Sequence, residues 1–297
     1  MDTSLSRLVQ WLERWAPPEA PTDWRARAYQ WRKRRVLGTE QAALEAVHRL
    51  ACIAPGDLLG VERQKEAILR NTEQFVRGLP ANNVLLTGAR GTGKSSLVRA
   101  CLAHFGDRGL RLIEVDKDDL VDLPRIADRV AGRQERYIVF CDDLSFEASE
   151  PSYKALKAAL DGSIAAGSSN LLIYATSNRR HLIPETMREN LDAVHDAQGD
   201  LHPGETSEEK VSLSERFGLW LSFQSFRQDE YLQIVAHWLA RFDVDAGAIA
   251  QARGEALQFA LQRGSRSGRV AAQFARDYAG RRALALARAQ AGGDAAR

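Results

Sequence analysis

The sequence predicts an α/β fold in which helices cover a parallel sheet in the central part of the chain. Three observations support this prediction. Short apolar runs alternate with helical patterns between residues 57 and 223, a glycine-rich loop links the first run to a helix, and no strand candidate follows residue 224. The runs are almost continuously apolar, as expected for strands buried on both faces of a sheet. They span residues 84–87, 110–115, 137–141, 171–175 and 219–223.

Helical patterns flank this core, which divides the chain into residues 1–54, 55–223 and 224–297. Prolines interrupt the first part, and apolar residues recur at helical spacing in the last part. Four of the six tryptophans lie in the first part: Trp11, Trp15, Trp24 and Trp31. We therefore expect a helical, tryptophan-rich N-terminal region, an α/β core and a C-terminal helical lid with a tail.

The composition is that of an ordinary soluble globular protein: 297 residues, 44% hydrophobic and 27% charged, with a net charge of +2. No apolar run approaches the roughly 18 residues of a membrane span, and the charged start has no signal-peptide pattern. Three cysteines are too few for a disulfide framework, so Cys52, Cys101 and Cys141 are interpreted as reduced core thiols. These features favour a cytoplasmic protein without a membrane partner.

Residues 88–95, Gly-Ala-Arg-Gly-Thr-Gly-Lys-Ser, match the phosphate-loop pattern G-x-x-x-x-G-K-[ST] at every fixed position. Glycines let successive backbone N–H groups converge on phosphate oxygens, and the helix that follows presents its positive end to the same charge. Lys94 would reach the β- and γ-phosphates, and the Ser95 hydroxyl would bind Mg²⁺. The predicted nucleotide contacts are Gly88, Ala89, Arg90, Gly91, Thr92, Gly93, Lys94, Ser95 and Ser96.

A pair of acids, Asp142 and Asp143, follows the apolar run at 137–141. We expect Asp142 to hold Mg²⁺ directly or through water, and Asp143 to orient or deprotonate the attacking water. Glu147 is a weaker candidate for the second role. In isolation such a pair is equally typical of solvated residues at the end of a strand; the phosphate loop favours the site.

Together these residues resemble the AAA+ ATPases over roughly residues 57–280, and in particular a bacterial DUF815-like family of predicted AAA+ ATPases. The resemblance implies a five-stranded parallel sheet in the order 5-1-4-3-2, with ATP and Mg²⁺ bound between the core and the lid. It also implies a homo-oligomer, such as a nucleotide-dependent ring.

The resemblance assigns further roles by motif. Asn178 follows a strand as the sensor-1 residue does and would help to position the lytic water. Arg216 lies in Leu-Ser-Glu-Arg-Phe-Gly, a segment similar to the arginine-finger segment of Holliday-junction branch-migration motors, and would act on a neighbouring subunit. Arg269 resembles sensor 2. Val61 lies in a segment similar to the one that packs on adenine.

The pair Asp142-Asp143 departs from the Asp-Glu of most AAA+ motors and resembles the replication-initiator and helicase-loader branches. Because aspartate is one methylene shorter than glutamate, either the attacking water lies closer to Asp143 or ATP turnover is slow. A slow enzyme would act as a nucleotide-controlled switch.

Two segments are candidates for partner binding. Trp24–Arg35 holds six basic residues and no acid, with aromatic residues interleaved. The pattern predicts an amphipathic helix that packs its tryptophans on the body, although contact with single-stranded nucleic acid, acidic protein or lipid also fits. Pro184–Glu215 holds nine acids and two bases, which is typical of a solvated loop or of a docking site for a basic partner. His195 and His202 within it match no regular metal pattern.

The predicted function is Mg²⁺-dependent ATP hydrolysis coupled to remodelling of a macromolecular partner, with nucleic acid or a protein–nucleic acid assembly slightly favoured. Two alternatives stay open: a slow nucleotide-controlled switch that serves as an interaction module, and an ATPase that remodels a protein client.

Overall fold

The computed structural model describes residues 22–36, 39–49, 53–146, 150–162, 169–178, 194–195, 201–202 and 215–294. Several predictions concern residues outside these ranges. They are the first helix with Trp11 and Trp15, the thiol of Cys52, the role of Glu147, and most of the acidic segment, including the side chains of His195 and His202.

The described residues form nine strands: β1 (Ala28–Val36), β2 (Thr39–Ala46), β3 (Val84–Gly88), β4 (Leu110–Glu114), β5 (Arg136–Cys141), β6 (Leu171–Ser177), β7 (Val194–His195), β8 (Leu201–His202) and β9 (Leu219–Phe223). The α-helices are α1 (Glu62–Val76), α2 (Lys94–Phe105), α3 (Leu123–Val130), α4 (Pro151–Leu160), α5 (Gln228–Arg241), α6 (Ala246–Gln251), α7 (Arg253–Gln262) and α8 (Gly268–Asp294). All five predicted strands are confirmed, as is the helix after the glycine-rich loop.

The main sheet has seven strands in the order β2-β1-β4-β5-β6-β3-β9. The predicted five-stranded sheet is therefore too small. Taken alone, the strands β3, β4, β5, β6 and β9 have the predicted order. The strands β1 and β2 extend the sheet beyond β4. Every neighbouring pair is parallel except β1 and β2, which are antiparallel.

The prediction that the N-terminal region is helical is wrong for residues 28–36 and 39–46, which form strands. Ala28–Gln30 pair in register with Leu112–Glu114 of β4, and Tyr29–Val36 pair with the whole of β2. Side chains on a strand alternate between faces, so Tyr29 and Trp31 share one face of the sheet, where both are buried. Pairing with β4 therefore decides the conformation, and the helical spacing of Trp24 and Trp31 is incidental.

Trp31 is fully buried and anchors the hairpin to the segment before α3. Its indole N–H donates to Oδ2 of Asp122 at 3.1 Å. The ammonium of Lys33 lies 2.7 Å from the same oxygen. Arg129 of α3 donates to the backbone carbonyl of Ala42, which lies on the outer strand β2, at 3.1 Å. These contacts attach the sheet edge to the helical layer and cover part of its exposed backbone.

Two apolar layers enclose the sheet. On one side, α1, α2 and the C-terminal helices pack on alternate strand residues such as Leu86 and Phe140. On the other side, α3 and α4 pack on the intervening residues, such as Leu85 and Val139. Burial of both faces explains why these strands are almost continuously apolar in sequence.

The C-terminal helices α5 to α8 pack together and against the first layer, which confirms the predicted helical C-terminal region. Phe274 of α8 is fully buried there and lies in ring contact with Phe259 and Tyr278. Among the helices that the structure describes, none has the length and apolar character needed to cross a bilayer.

Candidate nucleotide-binding site

A cleft of about 600 Å³ lies where the carboxyl ends of β3, β5 and β6 meet the first and last of the C-terminal helices. Ligands of open α/β sheets bind at this edge because loops from several strands converge there. The cleft is lined by Ile53, Asp57, Leu58, Leu59, Arg90, Gly91, Thr92, Gly93, Lys94, Ser95, Ser96, Arg99, Asp142, Asp143, Thr176, Asn178, Phe226, Ile234, Trp238, Gly268, Arg269 and Ala272.

The glycine-rich loop joins β3 to α2, and its glycines are required by close approach as well as by backbone conformation. A Cβ atom on Gly88, whose φ is +123°, would lie 1.9 Å from the carbonyl oxygen of Phe223. A Cβ atom on Gly91, whose φ is +74°, would lie 2.8 Å from the Ser267 hydroxyl oxygen. The loop can therefore lie between β9 and the start of α8 only because these two positions have no side chain.

The side chain of Lys94 is buried inside the loop. Its ammonium donates to the carbonyl oxygens of Gly88 at 2.9 Å and Ala89 at 2.8 Å, and to Oδ1 of Asn178 at 3.0 Å. Burial, together with the nearby guanidinium of Arg90, lowers the pKa of Lys94, while nearby carboxylates oppose this shift. The loop and β6 thus hold a cation at the centre of the cleft.

Thr176, a residue that the sequence reasoning missed, joins the two predicted acids. Oγ of Ser95 donates to Oδ1 of Asp142 at 2.6 Å, and Oγ1 of Thr176 donates to the same oxygen at 2.5 Å. Oγ1 of Thr176 also accepts the backbone N–H of Asp143 at 2.9 Å. The buried threonine hydroxyl therefore fixes the side chain of one acid and the backbone of the next.

Asp143 is directed across the cleft towards β6. Its φ is +54°, an uncommon conformation for a residue other than glycine, and its Oδ1 accepts the side-chain N–H of Asn178 at 2.5 Å. Because Asn178 also accepts from Lys94, these three side chains form a continuous hydrogen-bonded chain. The structure thus brings together Lys94, Ser95, Asp142, Asp143 and Asn178 as the sequence predicted.

The start of α8 lies directly on the loop. The backbone N–H of Arg269 donates to the carbonyl of Gly91 at 3.4 Å, and the Arg269 side chain lines the cleft. The N-termini of α2 and α8 both border the cleft, so the positive ends of two helix dipoles reinforce Lys94. This arrangement is suited to a polyanionic ligand.

The model of a protein family described as "Protein of unknown function (DUF815)" matches residues 24–282. The chain belongs to this family. No curated protein matches the sequence. Membership agrees with the resemblance that the sequence motifs indicate, and it includes the hairpin as well as the core.

Solved structures show the fold of this DUF815 member to be of the AAA+ type. Two variants of RuvB from Thermotoga maritima match it with a TM-score of 0.50 and 16% sequence identity. Each match covers 75% of this chain and 63% of the RuvB chain, so the chain spans less than two thirds of the RuvB length.

Apolar residues also line the cleft of this DUF815 member. They are Ile53, Leu58, Leu59, Phe226, Ile234 and Trp238. Val61, the residue singled out from sequence, is buried at the start of α1 and does not line the cleft. Apart from Leu58 and Leu59, these positions carry no local motif, and the helical periodicity of α5 marks Ile234 and Trp238 only as apolar.

Arg216 lies outside the cleft. Its Nε donates to Oδ1 of Asp161, just beyond α4, at 2.5 Å. Arg216 is therefore not brought to the cleft of its own chain, and its predicted role in a neighbouring subunit stays a prediction.

The structure changes the interpretation of the segment Trp24–Arg35. Trp31 is buried, and the guanidinium of Arg133 lies 3.9 Å from the ring centroid of Trp24. Four of the basic residues form ion pairs with acids: Arg25 with Asp23, Arg27 with Asp107, Lys33 with Asp119 and Asp122, and Arg34 with Glu45. Both tryptophans therefore pack on the body of the protein, as predicted. Trp31 does so from β1 and Trp24 from the segment before β1, and not from a helix.

Two smaller predictions concern cysteines and metals. Cys101 and Cys141 are free and buried, and burial raises the pKa of the Cys101 thiol to about 12. Among the described residues, no group of three or more His, Cys, Asp or Glu side chains forms a metal site. The hydroxyl and carboxylate oxygens of Ser95 and Asp142 are instead a donor set that fits Mg²⁺ bound together with a phosphate.

Proposed function

We propose that this protein binds ATP with Mg²⁺ in the cleft and hydrolyses it. The observation that carries the proposal is the contact between Ser95 and Asp142 beside the buried ammonium of Lys94. A hydroxyl, a carboxylate and a cation meet there at the N-termini of two helices, which is the set of groups that phosphoryl transfer needs.

Each residue has a distinct role in this proposal. The backbone N–H groups of the loop and Lys94 neutralise phosphate charge, and Arg269 adds positive charge from the lid. Ser95 and Asp142 would hold Mg²⁺, which would stabilise the charge that develops on the phosphate oxygens. Asp143 would accept a proton from the attacking water, and Asn178 would position that water. The apolar residues that line the cleft would contact the base.

Arg216 would complete the site of a neighbouring subunit in a homo-oligomer. This part of the proposal is supported by the position of Arg216 outside the cleft of its own chain, and by its segment, which resembles an arginine finger. A guanidinium supplied in this way stabilises the transition state and makes hydrolysis depend on assembly.

A slow, switch-like enzyme is the second candidate. It is favoured by Asp143, whose short carboxylate is bound to Asn178 rather than free to face water. In either case we propose that the nucleotide cycle controls a macromolecular partner. The structure supports a nucleic-acid partner less than the sequence does, because Trp31 is buried and its ring cannot stack on a base.

The deciding experiment measures the specific ATPase rate against protein concentration, with and without single-stranded DNA. Lys94→Ala is the blank, and Lys154→Ala, which changes an exposed lysine on α4, is the matched control. A specific rate that rises with concentration supports hydrolysis completed between subunits, and stimulation by DNA supports a nucleic-acid partner. Tight ATP binding at a rate equal to the blank selects the switch. Absence of ATP binding refutes the proposal.

A further inference from the structure

A buried carboxylate connects the segment before α1 to the first helix of the lid. Asp57 is 9% exposed, and its Oδ1 accepts from Nε2 of His237 at 3.0 Å and from Nη1 of Arg241 at 2.9 Å. The two donors lie one helical turn apart on α5, so both reach the same oxygen. No role in phosphate chemistry explains this contact, because it involves none of the residues around Lys94.

The contact lies beside apolar residues that line the cleft. Leu58 and Leu59 follow Asp57 directly, Trp238 follows His237, and all three form part of the cleft wall. The ammonium of Lys65 donates to the carbonyl of Leu58 at 2.9 Å, which holds this segment in place. The carboxylate of Asp57 therefore joins two segments that line the cleft, one before α1 and one on α5.

The contact is placed where it can influence the lid. Asp57 is largely removed from water, so its attraction to the cation is screened less than in a surface pair, although Arg241 is itself more than half exposed. Two donors that converge on one carboxylate oxygen also restrict the rotation of α5 more than a single contact would. A buried acceptor that loses its donors is costly, which favours the closed arrangement.

The lid helices transmit this restraint to the phosphate end. α5 and α8 pack together within one apolar cluster, with Leu239 and Phe274 fully buried. α8 begins at the phosphate loop with the N–H of Arg269 on Gly91. A change at Asp57 therefore acts on the wall that carries Trp238 and, through α8, on the position of Arg269.

We propose that Asp57, with His237 and Arg241, is the latch that sets lid closure over the bound nucleotide and so determines nucleotide affinity. Asp57 is a positioning residue, since its carboxylate bonds to the lid and not to a reacting atom. This inference rests on the proposed function, because it assumes that the cleft takes a nucleotide.

The test measures the Kd of ADP for the full chain and for Asp57→Asn. Asparagine keeps the shape of the side chain but loses its charge, and we expect the Kd to rise about tenfold. Asp243→Asn is the matched control, because it makes the same change at an exposed lid residue whose positive φ asparagine tolerates. Its Kd should equal that of the wild type.

A double-mutant cycle separates a latch from a general loss of stability. If Asp57 and Arg241 act through one contact, Arg241→Met should weaken ADP binding in the wild type but add little to Asp57→Asn. His237→Gln, which keeps a donor, should retain more affinity than His237→Ala. Amide exchange of α5 should quicken in Asp57→Asn when ADP is bound.

The failures of the two proposals are distinguishable. If the wild type binds neither ADP nor ATP, the proposed function is wrong. If the wild type binds ADP, Lys94→Ala does not, and Asp57→Asn binds as tightly as the wild type, the latch is overturned while the nucleotide site stands. Additive effects of Asp57→Asn and Arg241→Met on the Kd would also overturn it.

Discussion

The phosphate end of the cleft and the N-terminal hairpin use polar and aromatic side chains in opposite ways. At the phosphate end, the side chains of Lys94, Ser95 and Asp142 converge on a cleft and bond to one another around it. In the hairpin, Trp31 and Lys33 bond inward to Asp122, and the result is attachment of a sheet edge. The first region forms the proposed ligand site, whereas the second stabilises the fold. Variants should therefore separate turnover from stability.

The largest expected effect is the loss of activity in Lys94→Ala. Its buried ammonium is the central positive charge of the loop, so ATPase activity should fall at least about a hundredfold. Thermal unfolding without nucleotide should change little, because the desolvation cost of the buried ammonium offsets the three hydrogen bonds that it donates. Steady-state kinetics and a melting curve check this, with Lys154→Ala as the control. A large loss of stability with normal turnover of the folded fraction would contradict the assignment.

Trp31→Ala should have the opposite signature. Removal of a fully buried indole should lower the free energy of unfolding by about 3–5 kcal/mol and leave Asp122 without one donor. Turnover per folded molecule should stay within about twofold, since no residue of the hairpin lines the cleft.

Denaturant titration measures this loss, and Trp24→Ala, at a partly buried tryptophan, is the comparison, with a smaller expected effect. If Trp31→Ala instead left stability unchanged but abolished binding to single-stranded DNA, the tryptophan would be a contact residue after all.

The same contrast explains what could be predicted from the sequence. The loop at 88–95 is a local motif, and the fixed spacing of its glycines marks the positions where a side chain would prevent the backbone conformation and the close approach. The acids after β5 could be placed near it because parallel strands end at one edge of a sheet. The hairpin could not be predicted from local sequence, because its strand conformation depends on pairing with β4, which is distant in sequence.

A local signal for the hairpin exists but is weak. Tyr29 and Trp31 alternate with polar residues, which is typical of a strand, yet the basic run that follows fits a helix equally well. Thr176 was missed for another reason: a threonine near the end of a buried strand is common, and only its contacts with Asp142 and Asp143 mark it as part of the site.

Thr176→Val sharpens the comparison at a residue that is both buried and part of the site. Valine keeps the volume but removes the hydroxyl, so Asp142 loses a donor and the backbone N–H of Asp143 loses its acceptor. We expect kcat to fall about tenfold while the Kd of ATP changes little. Thr176→Ser restores the hydroxyl and should recover most of the rate. Equal rates in the valine and serine variants would refute the positioning role.

The smallest expected effect concerns Asp122, which couples the hairpin to pH. Burial opposes the charged carboxylate, but the ammonium of Lys33 and the indole of Trp31 outweigh it and lower the pKa of Asp122 below its ordinary value of 3.8. A carboxyl group with a lowered pKa in the folded state stabilises the protein above its unfolded pKa, and this contribution disappears as the pH falls through the folded value. Lys33→Met should therefore cost about 1 kcal/mol near neutral pH.

The difference between Lys33→Met and the wild type should shrink as the solution is acidified below the ordinary pKa of an aspartate, because the protonated carboxyl group no longer attracts the ammonium. Unfolding curves over a pH series measure it, and Arg32→Met, at an exposed position of the same strand, is the control. A Lys33→Met penalty that stays constant with pH would show that the aliphatic stem of Lys33, and not its charge, supports the hairpin.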